Sequence, residues 1–147
     1  MTTILPLTAE DRADWLDLWS GYLTFYEASV DEATTDSTFA RLTTPGSGLF
    51  GAIARDAGGR AVGLVHWLTH PATWTSGDYC YLEDLFVSPA ARGAGTGGAL
   101  IAHVRAWAER HGSAKVYWLT ASDNHPARSL YDRVATASGF VQYQIRL

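Results

Sequence analysis

Two periodicities divide the chain. Apolar residues recur every third or fourth position in some stretches and every second position in others, which separates helices from half-buried strands. Thr2 to Leu7 reads as a short strand. Thr8 opens T-A-E-D, a helix start with acids in its first turn, and Trp15, Leu18, Trp19, Tyr22 and Tyr26 then mark one apolar face. A second helical piece covers Asp36 to Leu42 and stops at Pro45 and Gly46. Gly48 to Arg55 and Arg60 to Leu68 read as a hairpin around DAGG, and Tyr79 to Val87 reads as a third strand. From Thr96 to His111 the helical spacing returns at Leu100, Val104 and Trp107, with Gly112 as the stop. Lys115 to Ala121 is predicted as a strand, Pro126 to about Ser138 as a helix ended by Gly139, and Phe140 to Ile145 as a last, alternating strand.

Composition narrows the class. The chain has 147 residues, 47% of them hydrophobic and 18% charged, which suits one globular domain spanning residues 1–147. The opening MTTILPL has no basic or continuous apolar region, and no stretch reaches the roughly 20 apolar residues that cross a bilayer. A soluble, cytoplasmic protein with no membrane role is expected. Cys80 is the single cysteine, so no internal disulfide and no multi-cysteine metal site can form, and the five histidines show no metal-ligand spacing. A net charge of −4 with Lys115 as the one lysine argues against a nucleic-acid partner. Glu10, Asp11, Asp14, Asp17, Glu27, Asp31, Glu32 and Asp36 face the single base Arg12 in the first 36 residues. That run either attracts a cation or is a solvated helix face.

The stretch ARGAGTGGAL, residues 91–100, satisfies G-x-G-x-x-G at Gly93, Gly95 and Gly98. A dinucleotide turn would begin directly after its strand, whereas Ser88 to Arg92 intervene here. No G-K-[ST] follows, which removes a Walker loop. What stands is a glycine turn opening a helix, where exposed amides and the helix dipole attract a phosphate. With Arg92, Gly95 and Gly97 matching [QR]-x-x-G-x-[GA], the segment resembles the loop of the GNAT N-acetyltransferases. The likeness runs from about Gly48 to Tyr143 and includes YLEDLFVSP and VYWLTASDNHPARSLY. Y-L-E-D-x-F-V before the loop most resembles the diamine and polyamine group, with its spermidine/spermine and thialysine acetyltransferases.

The resemblance implies an α/β (α+β) fold: a mixed sheet, antiparallel at its N-terminal side, with splayed central parallel strands and flanking helices. It implies acetyl-CoA as cosubstrate, with no metal, and direct transfer to the primary amine of a small cationic acceptor, a di- or polyamine or a lysine-like amino acid. An aminoglycoside or a protein lysine as acceptor, or a non-catalytic acetyl-CoA sensor, are the alternatives. Arg92, Gly93, Ala94, Gly95, Thr96, Gly97 and Gly98 would hold the pyrophosphate. Phe86 and Val87 would offer backbone to the pantetheine arm, and Asn124 and Arg128 begin the helix that carries a further cofactor contact. Tyr131 is the candidate acid for the departing thiolate, or else a packed aromatic. Glu83 and Asp84 are neighbours in an apolar strand, so their side chains start on opposite faces and at least one needs a polar setting. Glu83 is the candidate base, and both acids suit an ammonium; a structural salt bridge is the other reading. Tyr26, Glu27 and Trp74 fall in segments that border the acceptor. Cys80, in an apolar strand, makes a poor nucleophile. His66 is the histidine nearest the acceptor segment. The aromatic content is compatible with a homodimer.

Overall fold

A computed structural model describes residues 1–147. Five strands form one sheet in the order β1 (Thr3–Pro6), β2 (Phe50–Arg55), β3 (Ala61–His70), β4 (Tyr79–Val87) and β5 (Lys115–Tyr117). The first four pair antiparallel and β5 joins β4 in parallel, a mixed sheet as expected. Helices α1 (Arg12–Phe25) and α2 (Glu32–Leu42) cover one face, and α3 (Thr96–Arg110) covers the other. α4 (His125–Val134) packs beside α3.

Each face has its own core. Trp15, Leu18, Phe39 and Leu42 close over Ile53, Leu64 and Phe86. On the opposite face Leu100, Ile101, Val104 and Ala108 close over Ala52, Val65, Trp67, Cys80 and Leu82. Spacings of three and four in the helices thus meet period-two positions in the strands. Gly21 lets α1 lie close on the sheet, since a Cβ there would stand 2.9 Å from the Phe86 ring.

Pairing between β4 and β5 is confined to Tyr79–Tyr81 against Lys115–Tyr117. Beyond Tyr81 no strand lies beside β4 on that side, so the sheet splays where the expected strand to Ala121 stops pairing. Two further expectations are corrected. The last helix ends at Val134 instead of Ser138, because Ala135 is already extended at φ −149°. Phe140 to Ile145 forms no strand, and Phe140, Val141, Tyr143 and Ile145 are exposed. Alternation specifies a face, but a strand also needs a neighbour to bond, and this segment has none.

β4 contains the irregularity that matters most. Val65 pairs with Leu85 and His66 with Asp84, yet Trp67 pairs with Leu82, so Glu83 is an extra, bulged residue. The bulge reverses the parity of the strand. Cys80 and Leu82 face α3, whereas Phe86, an even position as well, faces α1.

Candidate active site

A cleft of about 480 Å³ opens at the splay, bounded by the end of α1, the end of β4, the glycine turn and α4. The turn is built for a close approach. Gly93 and Gly95 have φ of +87° and +83°, a left-handed backbone that side chains with a Cβ rarely adopt. None of the amides from Gly93 to Gly98 donates to an acceptor within the protein. Six consecutive free N–H groups at the start of a 15-residue helix form an anion cradle. The chemistry of the turn therefore fits a pyrophosphate. Gly97 also seats α4, since a Cβ there would meet Leu130 Cδ2 at 3.0 Å.

Phe86, Val87, Arg92, Gly93, Gly95, Thr96, Gly97, Gly98 and Asn124 line this cleft. Ala94 and Arg128 do not: Ala94 is exposed within the turn, and Arg128 Nη1 donates to the Ser122 carbonyl at 2.7 Å. The Arg92 side chain folds onto the strand end, Nε donating to Val87 O at 3.1 Å, with its guanidinium 5.7 Å from the Phe25 ring centre and 5.9 Å from that of Phe86. Asn124 caps α4 by accepting from the Ala127 amide at 3.4 Å, which leaves its own NH₂ group free.

Tyr131 lines the cleft from α4, its ring edge-on to Trp118 with centroids 5.4 Å apart. Burial, with the neighbouring Tyr26 second, holds its phenol above the ordinary value near 10. Its hydroxyl makes no hydrogen bond to the protein. Cys80 is buried in β4 and its thiol is pushed up to about 11 by loss of solvent, which leaves it a poor nucleophile as expected.

The two acids do not occupy opposite faces. Because of the bulge, Glu83 and Asp84 both sit on the α1 and α2 side, where Tyr22, His66 and Arg41 gather around them. Glu83 is exposed, yet crowding by the protein and then the charge of Asp84 raise its carboxyl above the usual range; Arg41 opposes this. Asp84 accepts from His66 Nδ1 at 3.0 Å. Burial first, then Asp84, drives the Tyr22 phenol far above the ordinary range.

Of the acceptor-side residues, Tyr26 lines the cleft, whereas Glu27 and Trp74 are exposed outside it, Trp74 by 90%. Tyr22 and Phe25 are wall residues that the sequence reading missed, Tyr22 being read only as part of an apolar helix face and Phe25 not singled out; their signal was the aromatic run Tyr22–Phe25–Tyr26 at the end of α1. Half of the acidic N-terminal run is spent locally. Asp11 and Asp14 each bind Arg55 at 2.8 Å, Asp36 binds Arg12, and Asp31 caps α2.

A glycine cradle at a helix start, beside a strand that parts from its parallel neighbour, was what the resemblance had implied; the bulge was not. The family description "Acetyltransferase (GNAT) family" matches residues 14–135, a span that includes the bulge, the turn and α4. The chain belongs to the GNAT acetyltransferases. Members of this family use acetyl-CoA and transfer its acetyl group to amines. The chain is 36% identical over 142 residues to the D-amino-acid N-acetyltransferase HPA3 of Saccharomyces cerevisiae, covering 96% of this chain and 88% of that one. Among solved structures, a ribosomal-protein-alanine N-acetyltransferase from Brucella melitensis superposes with a TM-score of 0.79 at 22% identity over 100% of both chains. The aminoglycoside acetyltransferase AAC(6')-Iy, solved with a CoA bisubstrate analogue, gives 0.86 at 17% identity over 100% of this chain and 99% of its own. These two establish the GNAT fold. The narrower likeness to the polyamine group finds no support in them, since the curated relative is named for D-amino acids.

Proposed function

We propose that this GNAT enzyme acetylates the primary amine of a small cationic acceptor, a di- or polyamine or a lysine-like amino acid, by direct transfer. The observation that carries this reading is the bulge, which sets Glu83 and Asp84 side by side on the face where Tyr22 also lies. Two carboxylates next to an aromatic wall suit an alkylammonium.

Acetyl-CoA supplies the thioester whose acyl carbon is attacked. The free amides of Gly93 to Gly98 would hold its pyrophosphate, and the unpaired edge of β4 near Phe86 and Val87 would receive the pantetheine arm. Glu83 takes the proton from the ammonium, and its raised carboxyl brings it nearer to the acceptor in proton affinity. The neutral nitrogen then forms the C–N bond as the C–S bond breaks, and Tyr131 gives its proton to the departing sulfur. A phenol held above its usual pKa stays protonated until a thiolate develops.

One observation favours an amino acid within this acceptor class. Arg41 lies close enough to Glu83 for its charge to act on that carboxyl, so an acceptor with its own carboxylate would meet a cation beside the acids. The relative named for D-amino acids supports the same choice.

The test follows thiol release from acetyl-CoA with spermidine, putrescine, D- and L-lysine, thialysine, an aminoglycoside and a lysine peptide. Preferential turnover of a small amine, falling at least tenfold in Tyr131→Phe, is expected. Tight acetyl-CoA binding with no turnover of any amine would instead mark a sensor.

A further inference from the structure

His66 lies 4% exposed on β3, and both of its ring nitrogens are engaged. Trp15, itself fully buried, points Nε1 at His66 Nε2 over 3.0 Å. An indole nitrogen can only donate, so Nε2 must accept and carries no proton. The ring proton is therefore on Nδ1, which stands 3.0 Å from Asp84 Oδ2 and donates to it. An imidazolium, or the other neutral tautomer, would set two N–H groups against each other.

The chain of bonds has one direction: Trp15 donates to His66, and His66 donates to Asp84. Asp84 takes this hydrogen bond and needs no proton of its own to satisfy its partner. Its side chain keeps 15% of its surface open. Trp19 and Trp15 flank the imidazole, with ring centres 5.4 Å and 6.1 Å away, so the ring has no room to flip.

We propose that His66 is a positioning residue for the acceptor. Trp15 fixes its tautomer, and the Nδ1–H holds the Asp84 carboxylate in the arrangement that receives the acceptor ammonium. The same lock bars His66 from serving as the proton acceptor, because its one free lone pair is already used by Trp15. That leaves proton removal to Glu83 and ammonium binding to Asp84. This division of labour rests on the acceptor reading above.

The experiment compares wild type, His66→Phe and His66→Asn, using the amine turned over best in the panel. Long-range ¹H–¹⁵N spectra of the wild type should show one imidazole as a pure Nδ1–H tautomer that vanishes in both variants. His66→Phe should raise the acceptor KM at least tenfold while kcat and the acetyl-CoA KM stay within threefold. His66→Asn, whose amide can still donate from the Nδ1 position, should recover most of that loss. An Nε2–H tautomer overturns the inference, as does an acceptor KM that the Phe variant leaves unchanged. So does a variant in which kcat and both KM values worsen together, because that marks a structural role. Absence of turnover by the wild type with any amine refutes the acceptor reading itself, and His66 then has no acceptor to position.

Discussion

Replacing Gly21 by alanine sets two effects of known size against each other. Position 21 lies inside α1, where alanine is favoured over glycine by about 1 kcal/mol. Against this, the new Cβ would stand 2.9 Å from Phe86 Cζ and 3.0 Å from Cε2, whereas carbon atoms rest about 3.5–4.0 Å apart. The ring cannot retreat easily, being 7% exposed and wedged among the residues of the α1-side core. Overpacking of this kind costs about 1–3 kcal/mol, so the net change is a loss of about 1 kcal/mol. For a chain of this size that is a fall in Tm of about 2–4 °C. Relief comes by lifting α1 from the sheet, and α1 carries Trp15 and Tyr22, so acceptor KM should rise along with the loss of stability. Calorimetry and steady-state kinetics read both effects. A Tm that rises by about 2–4 °C, the pure helix-propensity result, would refute the reasoning by showing that Phe86 yields without cost.

The remaining predictions concern the site and its charges. Tyr131→Phe removes a hydroxyl that has no hydrogen-bond partner in the protein while leaving the Trp118 contact intact, so kcat should fall at least about tenfold with little change in Tm; equal losses in both would make Tyr131 a packing residue. Glu83 has its carboxyl raised on folding, so its ionised form is disfavoured in the fold, and stability attributable to it is present at low pH and lost as pH rises through the folded value. Glu83→Gln should therefore raise Tm at neutral pH while lowering kcat, and a lowered Tm would contradict the charge argument. Tyr22, Tyr81, Tyr117 and Tyr131 are all shifted upward by burial. Stability should fall above about pH 10, where phenols of the unfolded chain ionise first, and absorbance titration should show only part of the tyrosines ionising before the protein unfolds. Glu27 adopts a left-handed φ of 52° just past α1, so Glu27→Gly should gain about 1 kcal/mol in denaturant unfolding.

Much of the fold was legible because local pattern and tertiary use coincide. β4 was read from Tyr79 to Val87 without error, since a run of aromatic and branched residues bounded by Asp78 and Pro89 has few other uses. The glycine turn was legible because left-handed backbone at Gly93 and Gly95 demands that residue type. Two kinds of feature escaped. Whether a strand finds a neighbour is not written in its own alternation, and Phe140 to Ile145 shows this. Nor is a bulge, for which the only trace was a pair of adjacent acids in an otherwise apolar strand. The Trp15 to His66 bond joins residues 51 apart in sequence, and the helical spacing of Trp15 marked it only as core.

The bulge at Glu83 makes the acceptor side of this enzyme depend on a count of residues as well as on their identities. In a flat strand, two side chains that share a face are separated by one residue; here they are consecutive. Deleting either residue between Leu82 and Leu85 would restore an unbroken ladder with a single acid opposite His66, although every other side chain of the site survived. A scan for similar acceptor sites in other chains should therefore seek acids at adjacent positions, and should treat a one-residue gap in this strand as loss of the site.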